Sequence, residues 1–240
     1  ETLDYDKRMR QHLDNTQKQG LQVTHVILHE KFNKSVCLDL ESTLINLFTG
    51  DGQRKVLNAN NGIVNADYYL REHYRRLFDD IFDNLRRSHK LFSHSKSDIE
   101  NSDLYKYSPF KQLNEEQKST VTSISERIID RIANDHSDLL EFIIEGGAGT
   151  GKTILAVYLM KLIADYGSGY TIDDGPDPLA EDNLDFPSVI DRRHLNIGLV
   201  IPQASLRDTI KKVFRSVEGL DASMILSPFD IPKIVLDRSK

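Results

Sequence analysis

Apolar positions recur every three or four residues in some stretches of the chain and gather into short runs in others, which predicts helices and strands respectively. Helical spacing covers residues 3–17, residues 36–48 (VCLDLESTLINLF) and residues 67–90, where Tyr69, Leu70, Tyr74, Leu77, Ile81 and Leu85 form one stripe. It returns after Asn114, with Val121, Ile124, Ile128 and Ile132 on the apolar face, then at residues 154–163 (ILAVYLMKLI) and again through Val213. Strand patterns occupy residues 21–28 (LQVTHVIL), 55–57, 139–144 (LLEFII) and 197–201 (IGLVI), with short candidates at 224–226 and 234–236.

The punctuation between these elements sets the organisation. Gly50-Asp51-Gly52 reads as a turn, the polar stretch 94–103 (HSKSDIENSD) as a linker, and residues 167–193, rich in Gly, Pro and Asp, as an acidic surface insertion. The order predicts an α/β protein in three parts: a small α/β module over residues 1–66, a helical connector and linker over 67–107, and a second domain over 108–240. In the last, strand, glycine loop, helix, strand and helix open a parallel α/β sheet.

Composition narrows the picture. With 39% hydrophobic residues the chain has enough apolar material for a core, while a net charge of −6 supplies no global basic field. Contact with nucleic acid would then need local patches. The arginines of residues 67–90 (Arg71, Arg75, Arg76, Arg86, Arg87) are interleaved with acids and read as a self-paired, solvated face. The single cysteine, Cys37, lies in an apolar run, which suits core packing and a reducing, cytoplasmic setting. No run is long enough to span a membrane and the first residues are no signal peptide. The chain opens at Glu1 rather than methionine, which points to a segment of a longer protein.

The sharpest motif is Gly146-Gly147-Ala148-Gly149-Thr150-Gly151-Lys152-Thr153, which fits G-x-x-x-x-G-K-[ST] between a strand pattern and a helix pattern. Glycines let backbone N–H groups turn toward phosphate oxygens, and the following helix adds its positive N-terminal end. Lys152 would reach the terminal phosphates of a nucleoside triphosphate and Thr153 would ligate Mg²⁺. Upstream, Asn114 and Gln117 have the spacing of a capping box at the head of a helix. After the second strand, Gln203, Ser205 and Arg207 sit at a helix start, where Ser205 reads equally as a cap. Catalysis of hydrolysis also needs a carboxylate at the end of a core strand. The only candidate is Asp237, followed by Arg238, and the reading is that the acidic motif and a second motor domain lie beyond Lys240.

Near the start of the chain Arg8, His12, Glu41 and Asn58, with Lys7 and Arg10, have the character of a metal-assisted phosphodiester-cleaving site. The order ET-x5-R-x3-H (Glu1, Thr2, Arg8, His12), a strand, LDLE-x2-LI with Glu41, and VLN with Asn58 resembles the later part of a GIY-YIG nuclease domain. The resemblance implies Arg8 as catalytic arginine, Glu41 as metal ligand and Asn58 as the late asparagine. The family's leading strands and tyrosines have no counterpart, which predicts no cleavage by this chain alone.

Likewise SPFKQLNEEQ, upstream of GGAGTGKT, resembles the glutamine motif of superfamily 1 helicases, which implies that Gln117 contacts the adenine of ATP. VIPQASLRDTIKKVF resembles the element that grips single-stranded backbone in such proteins, with Gln203, Ser205 and Arg207 as its candidates. The whole arrangement is similar to fusions of a GIY-YIG module with a Schlafen-group-3-like DNA/RNA helicase domain. That likeness implies a RecA-like ATPase using ATP and Mg²⁺, with nucleic acid as partner, DNA before RNA.

Overall fold

The computed structural model describes residues 23–57, 68–133, 141–167 and 197–233. The predicted helix at 3–17, Arg8, His12, Asn58, residues 234–236 and Asp237 lie outside them, as does the expected insertion apart from Gly167.

Helix α1 (Lys34–Asp51) starts where the Asn33 side chain accepts the Val36 N–H, and ends at Gly52, whose φ of 66° turns the chain left-handed. The expected turn at 50–52 is therefore Gly52 alone. Gly50 and Asp51 continue the helix and are buried, because two later segments pack on them. Helix α2 (Arg71–Arg87) buries Phe78, Phe82 and Leu85, with Tyr74, Leu77 and Ile81 half-buried. Two residues of the expected stripe leave it: Leu70 adopts φ 64° just before the helix, and Tyr69 is 88% exposed. Ion pairs Arg75–Glu72 and Arg87–Asp83, both at 2.9 Å, bear out the self-paired polar face. Arg71 and the Tyr68 hydroxyl both donate to Asp39, tying the start of α2 to α1. Burial, then the Asp39 carboxylate, push the Tyr68 phenol well above its usual pKa.

The stretch 94–103 is folded, not an open linker. Ser95 and Ser102 cap two short helices, α3 (Lys96–Asn101) and α4 (Asp103–Lys106). Between the caps Ile99, 1% exposed, enters a cluster with Leu47, Phe82, Leu85 and Phe92, worth about 1.5–3 kcal/mol for one such side chain. The buried Asp51 carboxylate accepts the N–H groups of Ser93 (3.1 Å) and His94 (3.0 Å), so the polar entry to α3 is anchored as well. The chain then reaches Ser108, whose hydroxyl donates to Asn46 of α1 at 3.1 Å, and Phe110.

Phe110 belongs to the largest core, together with Val56, Val157, Ile210, Phe214 and Val217 among others. Helices α5 (Glu115–Ala133) and α6 (Lys152–Gly167) pack through Val121, Leu155 and Tyr158. Strand β1 (Leu199–Val200) pairs in parallel with β2 (Ile225–Leu226), and α7 (Ala204–Ser216) is the crossover between them. The described residues are thus helices around a small parallel sheet, α/β in the coarse sense.

Three strand expectations change. The only ladders among the described residues join β1 to β2 and Val56 to Val217, so the strand at 55–57 is reduced to one bridge. Residues 23–28 and 141–144 have no regular structure; Leu28 is 86% and Ile143 80% exposed. Apolar spacing suits them to a sheet, but without a neighbouring ladder the backbone groups have no strand partners.

Candidate functional site

The glycine motif forms a turn leading into α6, and local chemistry explains its shape. Gly149 (φ 79°) and Gly151 (φ 86°) occupy the left-handed region, costly for any residue with a Cβ. The Thr150 hydroxyl donates to the Gly147 carbonyl at 3.0 Å. A Cβ on Gly146 would lie 2.7 Å from that hydroxyl oxygen, so the motif's first glycine is required by crowding rather than by φ. The Lys152 ammonium bends back and donates to the carbonyls of Gly146 (2.6 Å) and Gly147 (2.7 Å), closing the loop on itself. The helical ladder begins with Leu155 N–H to Gly151, at 2.9 Å. The amides before Leu155 therefore lack intrahelical acceptors and, with the helix dipole, favour an anion.

This donor set fits a polyphosphate: an exposed ammonium, open amides and glycines that keep side chains clear. Ala148 and all the loop glycines but half-buried Gly151 are exposed. Thr153, the half-buried second residue of α6, carries a hydroxyl that could ligate a phosphate-bound Mg²⁺. Among the described residues no group of three or more His, Cys, Asp or Glu could hold a metal ion.

Gln117 proves to be both a cap and a neighbour of the loop. Its N–H donates to the Asn114 side-chain oxygen at 2.8 Å and its Oε1 accepts the Asn114 N–H at 3.1 Å, the reciprocal cap that the spacing predicts. Its Nε2 donates to the Thr150 carbonyl at 3.0 Å, a contact not legible from spacing.

At the second candidate element Gln203, exposed, is the N-cap of α7 and makes no side-chain capping bond. Ser205 lies inside α7, which begins at Ala204, so its expected capping role is not observed: at that position the backbone is already helical. Arg207 folds back and donates to the carbonyls of Ile201 (2.7 Å) and Pro202 (2.6 Å), bracing the loop after β1. Glu41 is exposed on α1; its expected companions Arg8, His12 and Asn58 lie outside the described residues.

Sequence reading missed a buried lysine–aspartate pair on α6. Lys161 on α6 is 1% exposed and donates to Asp165 at 2.5 Å, one turn on. Burial lowers the ammonium's pKa, and the Asp165 carboxylate pulls it part of the way back. A lysine and an aspartate four apart in the otherwise apolar ILAVYLMKLIAD was the available signal. Among the described residues no helix is long and apolar enough to cross a membrane. No family model, no curated protein and no solved structure matches the chain.

Proposed function

We propose that the chain binds a nucleoside triphosphate, ATP with Mg²⁺, at residues 146–153. In this reading it is part of a helicase-like motor, RecA-like in fold, that acts on nucleic acid, DNA before RNA, in the cytoplasm. The observation that carries the proposal is the loop itself: two left-handed glycines and a lysine at the head of a 16-residue helix, the ammonium held, among the described residues, by backbone carbonyls and the Thr150 hydroxyl. On binding, Lys152 would exchange those carbonyls for phosphate oxygens, and Thr153 would offer its hydroxyl to the metal. The exposed Gln203 and Ser205, at the start of α7 beside the loop that Arg207 braces, support a contact to a nucleic-acid backbone. The same proposal assigns residues 1–66 a GIY-YIG-type, metal-dependent nuclease role, supported by the LDLE motif and the exposed Glu41.

ATP affinity and turnover, each with and without single-stranded DNA, test the reading. We expect binding by this chain and DNA-stimulated turnover in a protein carrying the complete motor. Lys152→Ala should abolish binding and leave the far-ultraviolet circular dichroism spectrum unchanged; undiminished binding refutes the site. A second reading, a nucleotide-dependent switch without translocation, is favoured by the Gln117–Thr150 link between the loop and α5 and by the net charge of −6. Turnover indifferent to DNA would select it.

A further inference from the structure

Asn114, Gln117 and the Thr150–Gly151 peptide meet although α5 and the residues beyond it separate them along the chain. The Gln117 carboxamide is held at both ends. Its oxygen accepts a hydrogen bond from the Asn114 N–H at 3.1 Å and its nitrogen donates one to the Thr150 carbonyl at 3.0 Å. From the other side Gly151 closes on it: a Cβ there would lie 2.7 Å from the same nitrogen. The glycine at this position therefore serves the approach of Gln117 as well as the left-handed φ.

A planar trans peptide carries its C=O and N–H on opposite sides. Pinning the Thr150 carbonyl toward Gln117 directs the Gly151 N–H away from it and fixes the Thr150–Gly151 peptide, one residue before Lys152. A carboxamide that reads adenine uses one donor and one acceptor in a single bidentate contact. Here one of the Gln117 carboxamide's two N–H donors and one of its two acceptor lone pairs are already engaged within the protein, which fixes the carboxamide's orientation on the loop.

We propose that Gln117 is a positioning residue for the phosphate loop, acting on the polyphosphate end of any nucleoside triphosphate and not discriminating the base. This rests on the phosphate-loop reading above. It predicts that Gln117 contributes equally to ATP, GTP and inorganic tripolyphosphate.

The test is calorimetric titration of the chain with each of these three ligands, in Mg²⁺, for wild type, Gln117→Met, Asn114→Ala and Lys152→Ala. Gln117→Met should weaken all three by a common factor, about three- to tenfold, the loss of one hydrogen bond. Asn114→Ala removes the cap oxygen but leaves the carboxamide's two bonds, so it should lower the melting temperature and leave the three affinities unchanged. A loss confined to ATP overturns the proposal in favour of base reading, and unchanged affinities in Gln117→Met reduce the residue to a cap. If Gln117→Met does not fold, Gln117→Glu retains the capping oxygen and cannot donate to Thr150. Its ATP-to-GTP affinity ratio stays at the wild-type value if the base is not read and falls if it is. Failure of the underlying site looks different: wild type binds none of the three ligands.

Discussion

Replacing Gly50 by alanine sets two opposing effects against each other. Inside a helix alanine is favoured over glycine by about 1 kcal/mol, because glycine loses more backbone freedom on folding. Were residues 94–107 an open polar linker, that gain would stand and the variant would be the more stable protein. In the structure the new Cβ would come 2.7 Å from Ile99 Cγ2 and 2.8 Å from Tyr105 Cβ. Neither atom is the free end of a flexible chain. Ile99 is buried in the aromatic cluster, and Tyr105 Cβ is bonded directly to the α4 backbone. Two short helices would have to back away from α1, stretching the Ser102 hydroxyl's bond to the Gly50 carbonyl, 3.0 Å in the wild type. Overpacking of this kind costs about 1–3 kcal/mol, which offsets the gain and leaves a net loss of up to about 2 kcal/mol. For a chain of this size that is a melting temperature lower by up to about 8 °C. Urea unfolding followed by circular dichroism should give a lower midpoint with an unchanged slope. A midpoint above wild type would refute the packing of α3 and α4 on α1. Ile99→Leu carries no Cγ2, so combined with Gly50→Ala it should cost less than the sum of the two single changes.

Other expectations are as direct. The Ser125 hydroxyl is buried on α5 with no hydrogen-bond partner among the described residues, so Ser125→Ala should stabilise by about 0.5–1.5 kcal/mol in urea unfolding; a loss would reveal a partner for it. Burial raises the Tyr158 phenol to a pKa of about 12, so the folded state holds its proton between pH 10 and 12 where the unfolded state releases it. The stability this contributes is full below pH 10 and declines above it by up to about 1.4 kcal/mol per pH unit. Tyr158→Phe should flatten that decline in unfolding measured from pH 9 to 12, and an unchanged slope refutes the assignment. Arg207→Met should speed amide hydrogen exchange at Val200, Ile201 and Gln203 about tenfold by releasing the two braced carbonyls; unchanged exchange would count against the brace.

Helix α1 was legible because Val36, Leu40 and Leu47 repeat at helical spacing, and α2 because Phe78, Phe82 and Leu85 reinforce its stripe. The glycine loop was legible because its chemistry is local: φ, crowding and the lysine reach lie within eight consecutive residues. What escaped depends on distant partners. Ile99 is a lone apolar residue among polar ones and has no period of its own, so only its burial against α1 and α2 gives α3 a reason to fold. The serines before α3 and α4 were the overlooked local signal. Conversely, LLEFII has the composition of a buried strand, yet residues 141–144 have no ladder and Phe142 instead lies under the Arg127 guanidinium at 5.2 Å from its ring centre. Gln117 was placed at its cap by spacing, whereas its bond to Thr150 depends on how α5 and α6 pack.

Val56 has a bearing on the order in which the molecule is assembled. Its N–H donates to Ser216 and its carbonyl accepts from Glu218, while Lys55 pairs with Glu218 at 2.6 Å. Such a pairing closes a very long loop, and the entropy of that closure is spent before the contact returns anything. On a ribosome this edge has no mate until residue 218 has emerged, so α1 with α2 and α3 can condense early while Val56 waits. Proteolysis of nascent chains stalled before and after residue 218 should then show protection near Val56 only in the longer ones.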